Sequence, residues 1–190
     1  MSPWQINRLS KAVLHGAVFA YPTDTIWGFG CHPLLAGSVQ RILDIKKRSV
    51  TKGLILLCSK LDYVESYLSD EINCEQARRL QHIEAQPTTW LVKAGQNCPP
   101  WLRGQHPTIA VRMTMHPFVK ALCETIKAPL VSTSANRAGQ STVTNATQAR
   151  KQFGGEVDYI ISGFATGGKT SSTIKFLENN QIIRGSKISA

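Results

Sequence analysis

Acidic residues are scarce: the 190-residue chain has 12 Asp and Glu against 22 Lys and Arg, a formal net charge of +10 at pH 7. That balance favours anionic partners such as nucleotides, nucleic acid or acidic membranes. Long apolar runs are missing. The longest, such as Leu54–Cys58, fall far short of the roughly 20 residues that span a bilayer. Arg8, Lys11 and His15 interrupt the candidate apolar region at the start, so no secretory signal is visible and no membrane role is expected. Paired cysteines are lacking: Cys31, Cys58, Cys74, Cys98 and Cys123 form no CxxC, which fits neither a disulfide framework nor a zinc ribbon. Reduced thiols in a cytoplasmic protein are expected. Without an HExxH motif, no catalytic metal site is expected either. No repeat, low-complexity tract or linker is present, so residues 1–190 read as one domain, long enough to bury a core.

What is there alternates between two periodicities. Apolar spacing predicts helices over Trp4–His15, Val39–Lys46, Leu61–Leu68, Glu75–Ala85, His116–Ile126 and Asn145–Phe153, the last with Thr144 as N-cap. Strands are predicted over Ala17–Tyr21, Gly53–Cys58, Thr88–Val92, Ile109–Met113, Leu130–Thr133, Tyr159–Ser162, Thr173–Phe176 and Gln181–Arg184. Gly95–Pro107 reads as a Pro/Gly-rich loop. The pattern predicts an α/β fold with a twisted, mixed, open sheet flanked by helices.

Several segments carry chemistry. Tyr21–Gly30 (YPTDTIWGFG) leaves a strand at Pro22 and enters a loop rich in hydroxyls and glycines. Strand ends are where α/β proteins place ligands. The competing reading is an ordinary turn with Asp24 accepting local N–H bonds. Lys46-Lys47-Arg48 with Lys52 puts four cations just before a core strand, either a phosphate clamp or a solvated helix end. Ser132–Asn136 (STSAN) offers hydroxyls, an amide and backbone N–H groups for an anion, or simply an ST-turn. Arg112 stands alone in an apolar strand and should reach a carboxylate or phosphate. Gly163–Thr170 (GFATGGKT) matches the phosphate-loop pattern GxxxxGK[ST]. That pattern needs a helix next, and the residues that follow read as a strand, which favours a glycine loop that covers a ligand.

In this order, the segments resemble the YrdC/TsaC family of L-threonylcarbamoyladenylate synthases. The resemblance rests on Tyr21–Gly30, Lys46-Lys47-Arg48 with Lys52, Ala110-Val111-Arg112, Ser132–Asn136, Ser172-Thr173-Ile174 and Ile183-Arg184-Gly185, and it covers roughly Ala17 to Gly185. The length is similar to that of the short, single-domain members. The resemblance implies a YrdC-like open sheet with a large basic groove. It implies a nucleotidyltransferase that joins L-threonine, bicarbonate and ATP into threonylcarbamoyl-AMP and releases pyrophosphate, with Mg2+ carried by ATP. Partner proteins of the TsaB, TsaD and TsaE type would then make threonylcarbamoyladenosine in tRNAs reading ANN codons, and tRNA binding is expected.

By the same resemblance, Thr23, Arg112, Ser134 and Ser172 would hold threonine. Lys46, Arg48, Lys52, Thr108, Asn136, Thr144 and Arg184 would line the nucleotide, and Lys46 and Arg48 would be catalytic. The family pattern has Pro where Ser49 stands, Gly where Gln86 stands, and sometimes an acid where Met115 stands. Loss of that proline predicts a more mobile loop. Two other functions compete: a non-catalytic tRNA or double-stranded RNA-binding or ribosome-maturation factor, and a P-loop NTPase dependent on Lys169.

Overall fold

The computed structural model describes residues 1–165 and 171–185. Among them are nine strands in one mixed sheet of order β7-β1-β2-β6-β3-β5-β4-β8-β9. The strands are β1 (Phe19–Tyr21), β2 (Gly28–Cys31), β3 (Ile55–Cys58), β4 (Thr88–Lys93), β5 (Thr108–Met113), β6 (Leu130–Ser134), β7 (Tyr159–Ile160), β8 (Thr173–Phe176) and β9 (Ile182–Arg184). The helices are α1 (Pro3–Leu14), α2 (Ala36–Lys46), α3 (Cys74–Gln81), α4 (Pro100–Arg103), α5 (Pro117–Ile126) and α6 (Ala146–Phe153). None is long and apolar enough to cross a membrane. At the centre β3 runs parallel to β5 and antiparallel to β6, and β6 runs antiparallel to β2.

Alternation along each strand sends side chains to two different layers. One side buries Phe29, Leu56, Val111, Val131 and Trp90 against Leu43 of α2, Leu80 of α3, Leu102 of α4 and Phe153 of α6. The other side buries Phe19, Tyr21, Leu57 and Leu130 against Leu9 and Val13 of α1 and Val119, Leu122 and Ile126 of α5. Each fully buried Leu or Phe contributes about 1.5–3 kcal/mol of transfer free energy. Local signals start the helices. Ser2 and Gln5 form a capping box with Pro3 at the first turn of α1, and Asn73 and Gln76 form another on α3.

Five expectations are corrected. Leu61–Leu68 is not one helix but two short 3-10 turns, Leu61–Tyr63 and Glu65–Tyr67. Leu61, Val64 and Tyr67 recur every third residue, the period of a 3-10 turn rather than an α-helix. Helix α3 ends at Gln81 instead of Ala85, because His82 turns extended (φ −68°, ψ 125°). The N-cap of α6 is Asn145, whose side chain accepts from Gln148 N; Thr144 instead donates to the Gln148 side chain. Gly28–Gly30, read as loop, belongs to strand β2. Its glycine content hides it from a propensity reading, yet Gly30 is required. A Cβ there would lie 2.7 Å from the Phe19 ring and 2.9 Å from the Tyr21 ring. Finally, α4 lies within the expected Gly95–Pro107 loop.

Candidate functional site

The sheet is not covered evenly. On β5, Ile109 and Val111 are fully buried while the alternate residues Thr108 and Ala110 are only half-buried. By register, Ala110 lies beside Ile55 of β3 and Leu91 of β4, both also half-buried, and Ser132 of β6 lies beside Ile55. Helices α1 and α5 stop over Phe19, Tyr21, Leu57 and Leu130 on this side. The central strands therefore present a partly open face on which Thr108, Ala110 and Ser132 lie among Ile55 and Leu91.

Cations gather around that face. Lys46 ends α2 and is buried, yet its partners among the described residues are all neutral oxygens. Its Nζ donates to the Ser134 backbone oxygen, to Ser134 Oγ at 3.2 Å, to Asn136 O at 3.0 Å and to Asn136 Oδ1 at 3.2 Å. Burial, and then the nearby Arg48 charge, push the Lys46 pKa down to about 8. Arg48 donates to Gly53 O at 3.0 Å and keeps a buried Nε without a partner. Burial and then Arg184 lower the Arg48 pKa, and burial and then Arg112 lower that of Arg184. Lys46, Arg48, Arg184 and Arg112 thus form a series in which each cation feels the charge of the next. Lys47, between Lys46 and Arg48, adopts a left-handed conformation with φ 51°. That turn leaves Lys47 exposed between an inward Lys46 and a half-buried Arg48.

Hydroxyls surround Arg112. Its Nη1 donates to Thr25 Oγ1 at 3.1 Å, and Nη2 lies 3.0 Å from Asp24 Oδ1. Thr23 Oγ1 donates to Ile26 O at 2.7 Å and lies 2.9 Å from Thr25 Oγ1. Asp24 is held by Thr114 Oγ1 at 3.0 Å, a residue just past β5, so the reading of Asp24 as a local turn acceptor is corrected. The carboxylate expected for Arg112 is supplied by the chain itself. Ser172 Oγ lies 2.8 Å from Thr89 Oγ1, and Ser172 O accepts from Arg184 at 3.3 Å.

Two clusters result. One joins Lys46, Ser134 and Asn136 at the end of β6; the other joins Thr23, Thr25, Asp24 and Arg112 across β1 and β5. Ser132, Thr133 and Ser134 pair with Gly30, Phe29 and Gly28 in the sheet, and Asn136 N donates to the Ser134 backbone oxygen at 2.9 Å rather than to a hydroxyl, so the ST-turn reading is corrected. Thr144 sits on the loop that folds back beside this turn, where Val143 N donates to Ala135 O at 3.1 Å. Lys52 is exposed and Thr108 half-buried at the start of β5. Ser49 has φ −62°, the value a proline imposes, and its Oγ accepts from Thr51 N at 3.2 Å. The serine thus reproduces the local shape of the missing proline. Of the phosphate-loop match Gly163–Thr170, residues 166–170, including Lys169, lie outside the described residues, and β8 rather than a helix follows it.

The Sua5/YciO/YrdC family model, described as telomere recombination, matches residues 11–186. The chain belongs to this family. Among its relatives is a threonylcarbamoyl-AMP synthase of Nitrosococcus oceani, 41% identical over 160 residues that cover 84% of this chain and 86% of the relative. Another, of Pseudomonas fluorescens, is 36% identical over 186 residues, 98% of this chain and 100% of the relative. P. abyssi Sua5, solved in complex with L-threonine, superposes with a TM-score of 0.84 at 29% identity over 94% of this chain. This chain spans 52% of that Sua5 chain. E. coli YciO has the same fold, with a TM-score of 0.80 at 23% identity over 96% of this chain and 88% of YciO.

Sequence reasoning gave Asp24, Thr89 and Arg137 no assigned site role. Arg137 follows Asn136, donates to Ile45 O at 2.9 Å and pairs with Glu156 at 2.6 Å. It thereby fastens the turn after β6 to the end of α2. The one signal for Asp24 was an acid in a motif whose strand partner, Arg112, needed a carboxylate.

Proposed function

We propose that the chain is an L-threonylcarbamoyladenylate synthase, a nucleotidyltransferase acting on L-threonine, bicarbonate and ATP. The observation that carries this reading is the burial of two cations, each beside a hydroxyl: Lys46 at Ser134 and Arg112 at Thr25. A compact anionic ligand suits such a site. A purely RNA-binding surface has no need to bury its cations, and no observation in the fold favours that alternative.

Threonine and bicarbonate condense to N-carboxythreonine, with loss of water and one proton. The carbamate oxygen then attacks the α-phosphorus of ATP, the bond to the β-phosphate oxygen breaks, and pyrophosphate leaves. Charge builds on phosphate oxygens, so the site must supply positioning and fixed positive groups more than a covalent nucleophile. In this reading Arg112, Thr23, Ser134 and Ser172 hold threonine, with Arg112 facing its carboxylate. Lys46, Arg48, Lys52, Thr108, Asn136, Thr144 and Arg184 line the nucleotide, and Lys46 and Arg48 stabilise charge during transfer. The cationic lining disfavours a free dication, so Mg2+ enters on the oxygens of ATP.

The product passes in the cytoplasm to TsaB-, TsaD- and TsaE-type partners for tRNA modification, and residues 1–190 act as one domain. Mass spectrometry of a reaction with 13C-bicarbonate tests the reading. It is expected to detect threonylcarbamoyl-AMP one mass unit heavier, and an unlabelled or absent adenylate refutes it.

A further inference from the structure

Of the four arginine–carboxylate pairs among the described residues, Arg79–Glu75 joins one oxygen only but its Glu75 side chain is solvent-exposed, and the other three invite comparison. Arg41 and Asp158 are fully engaged: Nη1 and Nη2 contact the two carboxylate oxygens at 2.9 and 3.1 Å, and Val18 N adds a bond of 2.7 Å. Arg137 and Glu156 engage both oxygens as well. The pair at the site differs. Arg112 Nη2 and Asp24 Oδ1 lie 3.0 Å apart, yet Asp24 Oδ1 makes no hydrogen bond and neither does Arg112 Nε, both buried atoms. Only Asp24 Oδ2 is held, by Thr114 Oγ1.

A pair that served only to hold the fold would spend its donors and acceptors on itself, since buried polar groups are otherwise costly. Here one positive and one negative group stand side by side, each with hydrogen-bonding capacity left over. An α-amino acid at neutral pH carries the complementary pattern, a carboxylate and an ammonium on adjacent atoms. The surrounding face is cationic, so without Asp24 the site would draw any small carboxylate. The Asp24 side chain is 23% exposed, and a small turn about its soft terminal torsion presents an oxygen to the ligand.

We propose that Asp24 accepts the ammonium group of the amino-acid substrate while Arg112 takes the carboxylate. Asp24 is then a specificity-determining residue that selects zwitterionic amino acids over simple hydroxy acids. This rests on the reading that threonine docks at Arg112. Thr114 is a positioning residue that fixes the Asp24 carboxylate.

Calorimetric titration of the full chain with L-threonine and with 3-hydroxybutanoate, which lacks only the amino group, tests this. The parent is expected to prefer threonine by at least tenfold. Asp24→Asn, checked for folding by thermal melting, is expected to lose tenfold or more in threonine affinity while 3-hydroxybutanoate binds as well or better. Asp24→Glu is expected to restore part of the preference. A folded Asp24→Asn that keeps the parental preference within twofold overturns the proposal alone. If Asp24→Asn does not fold, Thr114→Val must show the same collapse and Thr114→Ser must not; equal preference in both overturns the proposal. A parent that binds no threonine overturns the synthase reading and this inference with it.

Discussion

Lys46 donates from a single ammonium group to both the backbone and the side-chain oxygen of Asn136, at 3.0 and 3.2 Å. The end of α2 and the turn after β6 are thus one unit, 90 residues apart in sequence. Ala138 N closes the same joint by donating to Lys46 O at 2.8 Å. A buried cation surrounded by neutral oxygens keeps its charge available for a phosphate.

That charge is sensitive to alkali. Burial and Arg48 bring the Lys46 pKa down to about 8, so the cation is lost as pH rises through that value. In the enzyme with threonine bound, kcat/KM for ATP is therefore expected to fall about tenfold per pH unit above about 8. Lys46→Arg keeps its charge and is expected to move this fall to higher pH. Initial rates between pH 7 and 10, at saturating threonine, check it.

Arg48 binds backbone oxygens of its own loop and is only half-buried. Arg48→Ala is expected to leave the fold intact. Loss of a transition-state donor costs about 10²–10³ in kcat. Circular dichroism melting together with threonine-dependent pyrophosphate release separates the two effects.

Lys47 holds a left-handed backbone conformation that glycine adopts without strain. Lys47→Gly is expected to raise stability by about 0.5–1 kcal/mol, a Tm increase of about 1–4 °C for a chain of this size. Lys47→Val is expected to lower it. Differential scanning calorimetry decides.

Gly30 leaves room for two rings that themselves pack against Phe118. With Phe19 and Tyr21 held in that cluster, Gly30→Ala is expected to cost about 1–3 kcal/mol through overpacking. Urea unfolding measures it.

These joints also explain what was readable from sequence. Strands such as β3 and β5 announce themselves because their alternation or apolar run survives in any context. β2 does not: its Gly30 leaves room for the rings of Phe19 and Tyr21 on the neighbouring strand, which only the sheet register reveals. The 3-10 turns of 61–67 share their apolar residues with a helix and differ only in period. At the site, Arg112 was legible as a charge in need of a partner. Asp24 was not legible as that partner, because 88 residues and the register of the sheet separate the two. Ser49 looked like a loss, and only its backbone angle shows that the local shape is kept.

The central claim is that cations and hydroxyls from separate segments meet in one cleft that joins a nucleotide to an amino acid. Pyrophosphate release by the purified protein, with ATP and with threonine and bicarbonate added singly or together, tests it most directly. Release only when both are present is the result expected. Phosphate release from ATP alone, or silence with all three substrates, would contradict it.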